Sequence, residues 1–168
     1  MKKITILLFI LSLFSCKKEP KVIAFDNNII KDTVLNIIIR PVHPNLLEGK
    51  SDSLMAYYQK LNFHEIWYLE ENRKDLINEI RSCFEDGLNP NDYEIKIIED
   101  LENKRTKLND EDIVKYDILL TETFEKLANH LHKGKLNPKK LYTDWDLATK
   151  EIALSPLLEK GIKEKKIA

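Results

Sequence analysis

Few residues in this chain have types and spacings that suit chemistry: Cys16 and Cys83, His130 with His132, and Asp144 and Asp146 on either side of Trp145. A cysteine nucleophile needs a neighbour that stabilises its thiolate and usually a histidine base. Cys83 lies instead in Arg81-Ser82-Cys83-Phe84, on an apolar helical stripe, and reads as a packing residue. His130 and His132 are two positions apart, which places them on different faces of a helix and spoils them as paired metal ligands. Two carboxylates around an aromatic ring suit acid–base work or sugar binding. In Asp144-Trp145-Asp146, however, alternate residues point in opposite directions, and a helix entry with a buried tryptophan fits better. Trp67 with Tyr57-Tyr58 reads either as a sugar-stacking groove or as core, and the apolar residues around them favour core. These residues make no catalytic centre and no metal site, and no cofactor is expected.

Cys16 is different because of what precedes it. Lys2 and Lys3 form a short basic start, Ile4 to Phe14 an apolar run broken only by Thr5 and Ser12, and Ser15 a small residue at the expected cleavage point. The run is too short to span a bilayer. Leu13-Phe14-Ser15-Cys16 resembles a bacterial lipobox, in which the cysteine is lipidated before the signal is removed; an ordinary secretory signal beside a cysteine is the alternative. Several acyl chains on Cys16 would anchor the protein stably, since each buried methylene contributes about 0.8 kcal/mol. The sequence therefore predicts a signal peptide over residues 1–15, a lipidated cysteine and tether over 16–50, and a location on a membrane outside the cytoplasm, periplasmic or outer-membrane.

After Cys16 a single cysteine remains, so a folded domain downstream has no internal disulfide and depends on burial. The formal net charge is −1, and loss of Lys2 and Lys3 with the signal makes it slightly more negative. Such a balance excludes nucleic acid as a partner, because neutralising several phosphates takes a clustered basic face. About 150 mature residues bury enough surface for one domain.

The elements that must position these residues are helices, read in order. Residues 29–40 mix β-branched and helix-spaced apolar residues and suit either a strand or a short helix, which Pro41 and Pro44 would end. Ser51 caps a helix near 51–61 carrying Leu54, Tyr57, Tyr58 and Leu61, and Phe63, Ile66 and Trp67 add an apolar patch. Asn72 is the expected cap of a helix near 73–86, with the stripe Leu76, Ile77, Ile80, Cys83 and Phe84. Gly87 ends it in a left-handed conformation, Leu88 folds back, and Asn89-Pro90 forbids continuation before a helix near 93–104. Asn109 and three acidic residues open a helix over 110–133 with Ile113, Tyr116, Leu120, Phe124, Leu127 and Leu131 on one side. Gly134, Leu136 and Asn137-Pro138 repeat the glycine-leucine ending, and a last amphipathic segment near 143–165 contains Leu157, Leu158 and Ile162. The predicted fold is an all-α, compact multi-helix bundle. Its last segment lacks a helix stop, so a domain over 51–168 truncated at its C-terminal end is expected, with an exposed apolar face near Leu157, Leu158 and Ile162.

Taken in order, Tyr57-Tyr58, Phe63 with Ile66-Trp67, Asp86-Gly87-Leu88-Asn89-Pro90 with Asp92-Tyr93, Asp117-Ile118-Leu119-Leu120-Thr121 with Phe124, Gly134-Lys135 with Pro138, and Trp145 resemble the helical scaffold domain of large L,D-transpeptidases. The resemblance spans about residues 51–162. It implies a role in peptidoglycan cross-linking, in which a catalytic cysteine attacks a stem peptide after its diaminopimelate, releases D-alanine and passes the acyl group to another stem. That reaction belongs to a separate domain marked by a histidine and a Ser/Thr-His-Gly-Cys motif, which this chain lacks. The resemblance thus implies a non-catalytic scaffold whose partners are peptidoglycan or an L,D-transpeptidase catalytic domain, with membrane contact through Cys16. A stand-alone helical lipoprotein that binds the wall is the second reading; a small hydrolase using Asp144 and Asp146 is a distant third.

Overall fold

The computed structural model describes residues 39–136, 144 and 153–167. Five α-helices lie among them: α1 (Asp52–Lys60), α2 (Glu70–Ser82), α3 (Ile95–Lys104), α4 (Asp110–Lys133) and α5 (Leu154–Glu164). Among the described residues no strand is present, and the one extended pairing is an antiparallel bridge between Pro41 and His64. The all-α bundle is therefore observed, with boundaries that differ from expectation at informative points.

Local capping explains α1 and α4. The Ser51 side chain accepts a hydrogen bond from the Leu54 amide, and that of Asn109 accepts from the Asp112 amide. Asp110, Glu111 and Asp112 then meet the positive end of α4, while His130, His132 and Lys133 meet its negative end. At 24 residues, α4 is long enough to contact the other elements along its length; α2 and α3 both pack on it and on each other. The core joins Leu54, Tyr58 and Trp67 to Leu76 and Ile80 of α2, Ile98 of α3, and Tyr116, Leu120, Phe124 and Leu127 of α4.

Expectation fails at the start of α2. The helix begins at Glu70, with Leu69 as a cap that has no side-chain hydrogen bond. Asn72, expected to cap it, is fully buried inside its first turn, and its amide nitrogen reaches the Ile162 carbonyl of α5 at 3.5 Å. Arg73 instead fixes this entry, donating to the Trp67 and Tyr68 carbonyls at 2.8 and 3.0 Å. A tertiary contact has replaced the local cap.

The other end of α2 follows the glycine logic. The helix tightens into a 3-10 turn, Cys83–Asp86, and Gly87 takes φ 77° and ψ 15°. The Leu88 amide donates back to the Cys83 carbonyl at 3.0 Å and Leu88 packs against the core. Nothing lies within 4 Å of a Cβ built on Gly87, so a side chain there meets only backbone strain. Gly87→Ala is expected to cost about 1 kcal/mol, read as a lower urea midpoint with an unchanged m-value. Phe84, expected on the buried stripe, is 63% exposed because the 3-10 turn rotates it away from the direction α-helical spacing would give.

The second glycine ending is not a copy of the first. Gly134 also has positive φ, 78°, but its ψ of 155° sends the chain away extended, and Leu136 is exposed rather than folded back. Asn137-Pro138 lies outside the described residues. Before α3, Asn89 caps a 3-10 turn, Pro90–Tyr93, and Glu94 in the left-handed region separates that turn from the helix, which starts at Ile95 rather than Tyr93. On α3 and α4, Ile97 and Leu131 are exposed although they fit the apolar spacing.

In the last segment, the expected helix near 143–165 is observed as α5 from Leu154, most of its earlier part lying outside the described residues. Leu158 is buried, and Ile162 and Ile167 pack against the core. The apolar face expected to lie open is thus largely covered, with Leu157 left exposed. Lys60 pairs with Glu159, joining α5 to α1, and Lys165 pairs with Glu71 of α2 at 3.2 Å. Pro41 and Pro44 frame an extended stretch and the 3-10 turn Pro44–Leu47, while the segment before residue 39, including the strand-or-helix region, lies outside the described residues.

Candidate functional site

The chemistry-bearing groups of this fold are gathered inside it. Asp117 and Thr121 stand one turn apart on α4 and face the connection between α1 and α2. The Ile66 and Trp67 amides donate to Asp117 Oδ1 at 2.9 and 2.6 Å, and the Tyr58 hydroxyl donates to Oδ2 at 2.7 Å. The Trp67 indole N–H donates to Thr121 Oγ1 at 3.0 Å; that hydroxyl donates to the Asp117 carbonyl at 3.0 Å. One carboxyl thereby holds two backbone amides of a loop and a tyrosine of a neighbouring helix. Burial pushes the Asp117 carboxyl up to about 7 against the pull of those hydrogen bonds, and burial followed by the nearby Asp117 raises the Tyr58 hydroxyl well above its ordinary range.

Two ionic clusters continue this lacing. Arg73 of α2 meets Glu102 of α3 with two guanidinium nitrogens, at 2.8 and 3.1 Å, and the Tyr116 hydroxyl of α4 donates to the same carboxylate at 3.0 Å. Burial, reinforced by Glu102, pushes the Tyr116 hydroxyl up. Glu65, buried on the α1–α2 connection, accepts from Arg105 at 2.7 Å and pairs with Arg40 at 3.4 Å. Paired buried charges of this sort fix one arrangement of elements more than they add net stability.

An open surface groove of about 480 Å³ lies at the end of α4. Its walls bring the two glycine endings together, with Gly87 and Leu88 on one side and Gly134 and Leu136 on the other, beside His130. His130 Nδ1 lies 2.8 Å from the Tyr93 hydroxyl, and Lys126 sits 5.8 Å from the centre of the Tyr93 ring. Burial, then Lys126 and Lys135, lower the His130 imidazole below its usual range, so it is neutral at physiological pH. Lys135 pairs with Asp92 at 2.5 Å.

The described residues among those singled out for chemistry sit in different settings. Cys83 is buried, and burial, with Asp86 and Asp92 nearby, raises its thiol, the opposite of what a nucleophile needs. His130 is half-buried and His132 exposed, in keeping with opposite faces. Trp67, Tyr57 and Tyr58 are core residues and cannot form a sugar-stacking surface. Asp144 is an exposed turn residue; Trp145, Asp146 and Cys16 lie outside the described residues. Among the described residues no group of three or more His, Cys, Asp or Glu converges as a metal site.

Sequence reasoning missed Asp117, Thr121, Glu65, Arg73 and Glu102 as an organising set. One signal was available: Asp117 and Thr121 share the face that carries Ile113, Leu120 and Phe124, and a polar pair on an apolar stripe implies buried partners. Among comparisons with known proteins, the family described as Scaffold domain matches over residues 52–168. No curated protein and no solved structure matches the chain.

Proposed function

The chain belongs to the Scaffold-domain family, consistent with the scaffold domain of the L,D-transpeptidases, and on that premise we propose that it is a non-catalytic support for peptidoglycan cross-linking at the cell envelope. The match over residues 52–168 carries this reading. The molecule's construction supports it. Its interior polar groups lace elements together, Cys83 is buried, and the sequence has no Ser/Thr-His-Gly-Cys motif. In this reading the transfer chemistry comes from an L,D-transpeptidase catalytic domain, and the lipidated Cys16 holds the assembly on a membrane outside the cytoplasm. The scaffold contributes a rigid surface on which that domain is held in one orientation.

Binding separates this reading from that of a stand-alone wall-binding lipoprotein. The purified chain is expected to form a complex with an isolated L,D-transpeptidase catalytic domain in size-exclusion chromatography. Retention on purified sacculi in the absence of such a domain supports the stand-alone lipoprotein instead, and binding to neither overturns both. Cys16→Ser is expected to move the protein from the membrane fraction to the soluble fraction; unchanged fractionation removes the lipid anchor from the account.

A further inference from the structure

The buried triangle of Asp117, Tyr58 and Thr121 can hold a proton without breaking a hydrogen bond. With the carboxyl ionised, Tyr58 donates to Oδ2 at 2.7 Å, and Thr121 donates to the Asp117 carbonyl while accepting from Trp67. With the carboxyl protonated on Oδ2, that oxygen donates to the Tyr58 oxygen. The Tyr58 hydrogen then turns to Thr121 Oγ1, which lies 3.1 Å away. Thr121 then accepts twice and donates once, the full capacity of a hydroxyl. Oδ1 goes on accepting from the Ile66 and Trp67 amides in either form.

We propose that Asp117 is a proton-binding latch: its buried carboxyl takes up one proton as the surroundings acidify, the Tyr58–Thr121 hydroxyls turn to accommodate it, and the fold gains stability as a buried charge is removed. Burial first, and then a neighbouring charge, favour the neutral form against the three donors, which favour the anion. From the connection, the buried Glu65 opposes the anion, its own charge being met by Arg40 and Arg105. From α1 come Tyr57 and Tyr58, both with hydroxyls raised chiefly by burial, and from α5 comes Glu159, which bears on Tyr57 and pairs with Lys60. On α4, Tyr116 is turned to the Arg73–Glu102 pair of α2 and α3. His64 on the connection is exposed.

The sign follows from a carboxyl raised to about 7 in the fold against about 3.9 in an unfolded chain. The group's contribution to stability is complete below the unfolded value and is lost as pH rises through the folded one. Between those limits the folded state holds one more proton, which changes the folding equilibrium by up to about tenfold per pH unit. A domain outside the cytoplasm, as proposed above, meets acidification directly, but the proton uptake does not rest on that location.

The test compares urea unfolding of the full chain and of Asp117→Asn between about pH 5 and about pH 8. Asparagine reproduces the protonated form, its oxygen accepting both amides and its NH2 donating to Tyr58. His130, whose imidazole is lowered in the fold, acts in the opposite direction over the same range, so the difference between the two proteins is the readout. That difference is expected to move about tenfold per pH unit in favour of the variant as pH rises to about 7. A difference independent of pH overturns the latch. Should Asp117→Asn fail to fold, carbon-13 NMR of the wild-type carboxyl decides: a midpoint near 7 supports the latch, and no titration above about pH 5 overturns it.

Discussion

Asp117→Ala is expected to destabilise the fold by about 4 kcal/mol, as three donors lose one acceptor at once. The Ile66 and Trp67 amides are left in a dry interior, while Tyr58 retains Thr121 as a substitute at 3.1 Å. Each stranded buried group costs roughly 1–3 kcal/mol, and the missing side chain leaves a void beside them. Against a typical total of about 5–15 kcal/mol, this brings the domain close to unfolding at moderate temperature. Urea denaturation at about pH 7 measures it. A loss below about 1 kcal/mol would mean that the amides find water or another acceptor and that the carboxyl does not hold the loop.

Trp67→Ala is expected to cost a similar amount, about 3–5 kcal/mol, for a different reason. The ring is 1% exposed and packs against Phe124 with centroids 6.3 Å apart, so truncation empties a large volume between α4 and the connection. Thr121 also loses the indole N–H that it accepts. Trp67→Phe separates the two contributions. It keeps much of the volume and loses the hydrogen bond, and should cost about 1 kcal/mol. The same unfolding experiment serves, and equal losses in the two variants would contradict the packing explanation.

The helices whose ends are set locally were legible in the sequence. Ser51 and Asn109 cap α1 and α4 as their types dictate, and Gly87 stops α2 because only a residue without Cβ takes a left-handed conformation freely. Where tertiary contacts set the boundary, sequence reading failed. Asn72 has the right type for a cap but is buried within α2, since Arg73 fixes the entry from the Trp67 and Tyr68 carbonyls. The two Gly-Leu endings look alike in sequence. Their ψ angles differ, 15° against 155°, and only the first folds its leucine back. That the two endings meet in one groove depends on helix packing, which no local pattern encodes. The buried polar lacing was visible only as two polar residues on the apolar stripe of α4.

The proposal that this chain supports wall cross-linking without performing it is tested by measuring D-alanine release and cross-linked muropeptides. The purified chain, an isolated L,D-transpeptidase catalytic domain, and both together would each be incubated with stem-peptide substrate. The account predicts neither product from the chain alone, identical behaviour from Cys83→Ser, and more cross-linking from the mixture than from the catalytic domain by itself. D-alanine release by the chain alone that disappears in Cys83→Ser, or cross-linking by the mixture no greater than by the catalytic domain, would contradict it.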